Sequence, residues 1–245
     1  MRWIYISPHF DDAVLSCGGL IWEQTRKGIP VEIWTICAGD APPGPFSSLA
    51  KDCHQQWGIK SADDLIAARR IENLDAAVLS GAETVNFSIP DCIYRRSSTS
   101  ESLYPTDVFV PIHRDDKDLD LEVADALISE LRPDDVIVSP LAIGGHVDHV
   151  LTRFAAEHLD RPIQYYADIP YLINNPEMLV PATKGQGETL YPISENGLTI
   201  WQESIAAYAT QIPMLFDTRE KMQAAIRGYW ENQRAIRLWN AILDN

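Results

Sequence analysis

Residues 3–12, Trp3-Ile4-Tyr5-Ile6-Ser7-Pro8-His9-Phe10-Asp11-Asp12, decide how this chain is read. The apolar, β-branched and aromatic run Trp3–Ser7 stops at a proline and reads as a short buried strand. Residues 12–27 follow with Val14, Leu15, Ile21 and Trp22 at helical spacing, and Gly28 ends them. Residues 31–37, Val-Glu-Ile-Trp-Thr-Ile-Cys, form the next strand, closed by Gly39-Asp40 and a proline-rich loop through Pro45. A strand, a helix and a strand in succession are a βαβ unit, and the unit implies parallel pairing.

The same alternation runs outward along the chain. Helical patterns cover about 47–57 and 62–80, a third strand 84–89, and a polar loop 95–107. Residues 119–131 carry Leu121, Ala124, Leu127, Ile128 and Leu131 on one helical face, and Pro133 ends that helix. A fourth strand at 135–139 leads through Gly144-Gly145 into a helix over about 148–159, and 163–167 is a fifth strand. The last fifty residues read as mostly helical, with 217–244 as one long C-terminal helix. Its aromatics, Tyr229, Trp230 and Trp239, pack on the domain or against another subunit of a homo-oligomer. The expected fold is α/β, a Rossmann-like, mainly parallel sheet with helices on both faces. One domain is expected over 1–245, because no Pro/Gly/Ser-rich linker divides the chain.

Charge and cysteine content narrow the function. Of 245 residues, 20 are Lys or Arg and 35 Asp or Glu, a formal net charge of −15. Nucleic acid and anionic membranes reward basic clusters, which this chain lacks, so a small molecule is the expected partner. Cys17, Cys37, Cys53 and Cys92 are scattered without a C-x-x-C pair, as expected of reduced thiols in a cytoplasm. The opening apolar run is too short for a signal peptide, and no run approaches the ~18 residues of a membrane span. Gly18-Gly19 does not form G-x-G-x-x-G, so dinucleotide binding has no support.

In open α/β sheets, ligands sit beyond the carboxyl ends of the strands. Two polar segments meet that condition: Pro8-His9-Phe10-Asp11-Asp12 after strand one, and Gly144-Gly145-His146-Val147-Asp148-His149 after strand four. Two histidines and a carboxylate make a common catalytic metal set, with a coordination position left for water. A carboxylate outside the set can act as base. His9 and Asp12, three apart, can point at one centre, and Asp11 between them aims elsewhere, as suits a base. His146 and His149 are also three apart, so that one can ligate while the other faces substrate. Taken alone, each segment also reads as a helix cap or a surface turn. Their joint placement favours a metal site. His54, His113 and His158 lack partners at useful spacing and read as surface or helix-end residues.

These two segments resemble the P-H-P-D-D and H-P-D-H motifs of the PIG-L/LmbE-like family of zinc-dependent N-deacetylases. The resemblance spans roughly residues 1–215. It implies hydrolysis of an N-acetyl group on an N-acetylglucosamine-containing small molecule or glycoconjugate. His9, Asp12 and His149 would bind Zn²⁺, with Fe²⁺ as the alternative. Asp11 would be the general base, His146 would stabilise the oxyanion or protonate the amine, and Asp148 would orient a histidine. Phe10 and Val147 stand where the family motifs have proline. Arg69, in Arg69-Arg70-Ile71-Glu72, resembles a substrate-reaching arginine, and the same spacing also reads as an exposed Arg–Glu helix pair. Asp91 resembles a sugar-binding aspartate and reads equally as an Asx turn after Pro90. Tyr94 and Arg95 are further substrate-binding candidates, and residues 166–171 are expected at the same mouth. Rival readings are an amidase or phosphoesterase using the same ligands, or a non-catalytic sugar- or partner-binding module with a structural metal.

Overall fold

The computed structural model describes residues 1–59 and 61–241. Among the described residues seven strands form one sheet: β1 (Trp3–Ser7), β2 (Val31–Thr35), β3 (Glu83–Asn86), β4 (Val136–Pro140), β5 (Ile163–Tyr166), β6 (Gln186–Pro192) and β7 (Ala235–Ala241). Their spatial order is β3-β2-β1-β4-β5-β7-β6. The first five pair in parallel, β7 runs antiparallel to β5, and β6 antiparallel to β7.

The helices are α1 (Asp12–Thr25), α2 (Ser48–Gln56), α3 (Ala62–Ser80), α4 (Leu119–Glu130), α5 (Val147–Glu157), α6 (Tyr171–Asn174), α7 (Leu179–Ala182), α8 (Glu195–Ala206), α9 (Ile212–Phe216) and α10 (Arg219–Glu231). Strand alternation splits the core. Trp3 and Tyr5 join α1, α8 and α10 in one cluster, with Trp201, Ile226 and Trp230 fully covered. Ile4 and Ile6 face the other way, toward Val123 and Leu127 of α4 and Ala155 of α5. Burial on both faces is why β1 and β4 read as near-continuous apolar runs, whereas β3 at the sheet edge does not. Gly18 and Gly19 of α1 let α8 approach closely. A Cβ on Gly18 would sit 2.6 Å from Cδ1 of Trp201, whose indole nitrogen donates to the carbonyls of Val14 and Leu15.

The C-terminal region departs from the expected long helix. α10 ends at Glu231, and β7 then enters the sheet between β5 and β6. The reversal uses Arg234 at φ +50°, a left-handed conformation more usual for glycine. No glycine or proline marks this break, so the helical pattern runs through it unseen. Residues 242–244 of the expected helix lie outside the described residues. β6 also escaped the sequence reading, because it is a half-exposed edge strand without a buried apolar run.

Candidate active site

The loop between β1 and α1 is held from beneath. The Ser7 hydroxyl donates to the His9 carbonyl (2.5 Å) and accepts from the Ala13 amide (3.0 Å), while Tyr208 Oη donates to the Phe10 carbonyl (2.9 Å). Asp11 occupies the N-cap position of α1, yet its side chain makes no capping bond. Its carboxylate accepts instead from Arg69 Nη2 at 3.1 Å. The cap reading therefore fails for Asp11. It holds for His146, whose Nδ1 accepts from the Asp148 amide at the start of α5. That bond leaves the neutral ring with its proton on Nε2.

His9, Asp12 and His149 converge, each offering a ligand atom within 4.8 Å of the others. Behind each imidazole stands a carboxylate. His9 Nε2 lies 3.0 Å from Asp148 Oδ2, and His149 Nδ1 lies 2.7 Å from Asp168 Oδ1. The remaining nitrogens turn toward Asp12: His9 Nδ1 is 3.1 Å from Oδ2, and His149 Nε2 is 3.4 Å from Oδ1. His149 Nε2 is buried without a hydrogen-bond partner. An orphaned imidazole nitrogen beside a carboxylate, with the ring fixed from behind, is the donor arrangement a divalent metal takes. The residues fit such an ion.

The carboxylates make this centre favour positive charge. Burial works against charge on His149, but Asp12 and then Asp168 lift its pKa to about 9. His9 is likewise lifted well above the ordinary imidazole value, against burial, by Asp91, Asp12 and Asp148. Asp12 is drawn well below the carboxylate range by His149 and His9 despite burial. Burial, then Asp12, raise the Asp11 carboxyl, and Arg69 opposes them. Burial and the neighbouring His9 push His146 well below its ordinary value.

A cavity of ≈ 410 Å³ opens onto this centre, with His9, Asp11, Asp12, Arg69, Asp91 and His146 in its lining. Arg69 is buried between the rings of Phe10 and Trp57 (5.5 and 5.7 Å), not in an exposed pair with Glu72. Glu72 instead accepts from the amide and hydroxyl of Thr210. Asp91 lines the cavity, and its side chain also accepts from the Ile93 amide, as an Asx turn does.

Tyr94 and Arg95 are outside the lining. Tyr94 Oη lies 2.7 Å from Nε2 of His54, which is buried at the end of α2 rather than on the surface. Arg95 is a buried bracket: Nη1 meets Asp148 Oδ1 at 2.6 Å and Nε meets Asp116 Oδ2 at 2.7 Å. Because Asp148 in turn faces His9, Arg95 is placed to hold the site from behind rather than to touch a sugar. Of residues 166–171, Pro170 and Tyr171 line the cavity, whereas Asp168 lies behind His149. Asp168 was expected only as part of that mouth, and its pairing with His149 was not foreseen. Trp57, Phe109 and Gln211 also line the cavity, and no motif announced them.

A two-histidine, one-carboxylate centre at the strand ends, with a second carboxylate beside it, defines a metal-site hydrolase on a Rossmann-like sheet. Residues 4–159 match the PIG-L family, described as GlcNAc-PI de-N-acetylase, and the chain belongs to that family. It is similar to 2'-N-acetylparomamine deacetylase of Niallia circulans, 29% identical over an alignment of 193 residues, with 72% of this chain and 70% of that protein covered. Among solved structures it resembles the zinc-inhibited form of teicoplanin deacetylase Orf2, with TM-score 0.87, 26% identity, and coverage of 100% of this chain and 99% of that one. A40926 pseudoaglycone deacetylase Dbv21 matches with TM-score 0.79 and 26% identity over 98% of this chain and 97% of that one. The chain is a hydrolytic N-deacetylase of the class that acts on GlcNAc-type sugars, with a site for a divalent metal. Among the described residues no helix is long and apolar enough to cross a membrane.

Proposed function

We propose that this chain, working as one unit, removes the N-acetyl group from an amino sugar carried on a small molecule, with His9, Asp12 and His149 holding zinc. The observation that carries this reading is the His149 ring, fixed by Asp168 on one nitrogen and unpartnered on the other beside Asp12. A divalent ion held there polarises the amide carbonyl and brings the pKa of water to about 7. Fe²⁺ suits the same donors, so metal identity is part of the test.

The rest follows from the chain's own groups. Asp11, uncommitted to helix capping, takes the proton from the attacking water and returns it to the leaving amine nitrogen. Burial and Asp12 raise its carboxyl, which favours its holding the proton between the two transfers. His146 Nε2–H donates to the carbonyl oxygen as negative charge grows there. Arg69 holds Asp11 in place, and Asp91 offers a carboxylate oxygen to sugar hydroxyls. Asp148 and Asp168 orient the two ligand rings. All four cysteines are unpaired, which supports a reducing cytoplasm as the working compartment.

The test is metal content and amine release from N-acetylglucosamine derivatives, for wild type, Asp11→Asn and His149→Ala. Asp11→Asn is expected to keep its metal and lose about 10²–10⁴-fold in kcat, the range for a lost general base. His149→Ala is expected to lose metal and activity together. Undiminished turnover in Asp11→Asn would overturn the assigned base, and full metal content in His149→Ala the assigned ligand set.

A further inference from the structure

The charge in the cavity is confined to its floor. The ionisable lining groups at neutral pH are His9, Asp11, Asp12, Arg69, Asp91 and His146, all at the reacting centre. The outer lining is neutral: aromatic and aliphatic side chains interspersed with the carboxamides of Gln56, Asn174 and Gln211. Cys53 stays a thiol there, because burial and then Asp91 raise its pKa to about 11.

Apolar side chains stand unusually free at this mouth. Phe109 is 52% exposed and Met214 41%, and both line the cavity. Phe109 lies edge-on to His146 (5.6 Å, 88°) and to Tyr171 (5.9 Å, 75°), so its ring borders the reacting centre. Trp57 stands against Arg69 and also lines the cavity. Exposed apolar surface continuous with a catalytic cavity marks where a ligand is covered.

We propose that the mouth formed by Trp57, Phe109, Tyr171 and Met214 binds the aglycone of the substrate, and that this aglycone presents an uncharged aromatic face next to the sugar. The proposal rests on the de-N-acetylase reading of the centre. A phosphate-bearing aglycone would need cations at the mouth. The lining holds one, Arg69, already committed to Asp11 and enclosed by two rings. A polyamine aglycone would need carboxylates there. The lining carboxylates lie on the floor, where Asp11 and Asp12 meet Arg69 and the histidines. Flat neutral rings gain from stacking and edge contacts with Phe109 and Trp57.

The metal-loaded full chain is assayed for amine release from four probes: the p-nitrophenyl and methyl β-glycosides of N-acetylglucosamine, N-acetylglucosamine 1-phosphate, and 2'-N-acetylparomamine. The expected result is a kcat/KM for the aryl glycoside about tenfold above each of the others, with the gain in KM. Phe109→Ala, on an exposed loop, is expected to lower the aryl-to-methyl ratio at least threefold. A wild-type ratio near one, or preference for the phosphate or the polyamine, overturns this proposal while leaving the deacetylase reading intact. An unchanged ratio in Phe109→Ala overturns the assignment of the platform. No amine from any probe overturns the reaction itself, and the proposal with it.

Discussion

Replacing Arg95 separates two roles that its sequence position left open. Nη1 and Nε bind Asp148 and Asp116 at 2.6 and 2.7 Å, and all three side chains are at most 6% exposed. Tyr104 Oη also donates to Asp116 Oδ2 at 2.8 Å, so the bracket belongs to a closed network. Arg95→Met leaves two buried carboxylates without their cation, a loss of about 3–5 kcal/mol. For a chain of this size each kcal/mol lowers Tm by roughly 2–4 °C, which gives a fall of about 6–20 °C. The assay is thermal unfolding followed by circular dichroism, with kcat and KM measured well below the new Tm. Because Asp148 faces His9, the loss should extend to metal affinity and kcat. A Tm within about 2 °C of wild type, with KM alone raised, would refute the bracket and restore Arg95 to sugar binding.

Other expectations follow from single contacts. Asp168→Asn loosens the His149 ring and should weaken metal affinity about tenfold, measured by competition with a chromophoric chelator; unchanged affinity would mean Asp168 does not orient that ring. Gly18→Ala forces a Cβ against Trp201 and should lower Tm, since overpacking costs about 1–3 kcal/mol against a helix-propensity gain of about 1. Gly228→Ala, with open space around it, should raise Tm, and the reverse order of the two glycines would sink the packing argument. The acid side of stability should depend on Asp135. Burial alone would raise its carboxyl, but hydrogen bonds from Arg2 and the Arg132 amide hold it below its ordinary value. A carboxyl depressed on folding stabilises above its unfolded pKa of ~3.9 and loses that contribution as pH falls through the folded value. Urea midpoints measured from pH 6 down to pH 2 should therefore fall below about pH 4, and less steeply in Arg2→Met than in wild type.

Local pattern carried most of the fold. β1, α1 and β2 were legible because each buries a continuous apolar face and ends at a proline, glycine or polar turn. β7 was not, because Arg234 makes its reversal in a conformation the sequence does not advertise. At the site, the two short histidine–aspartate segments were legible since their spacing and strand-end position are local properties. The carboxylates behind the rings were harder: Asp168 meets His149 across 19 residues, and Asp148 meets His9 across 139. Arg95 and Asp148 are 53 apart, and nothing near either residue signals the pair. Trp57 and Phe109 read as ordinary apolar residues until the fold set them around one opening.

The chemistry and one side of the cavity wall come from different stretches of chain. His9, Asp11, Asp12, His146 and His149 all lie within residues 4–159, while Tyr171, Asn174, Gln211, Met214 and Leu215 lie beyond them. The later stretch packs broadly on the earlier one, α8 lying against α1 and α3, and just ahead of α9 Tyr208 holds the Phe10 carbonyl and Thr210 binds Glu72. Exchanging residues 211–216 while keeping Tyr208 and Thr210 is expected to change only the Met214 side of the mouth, with Trp57, Phe109 and the catalytic floor left in place.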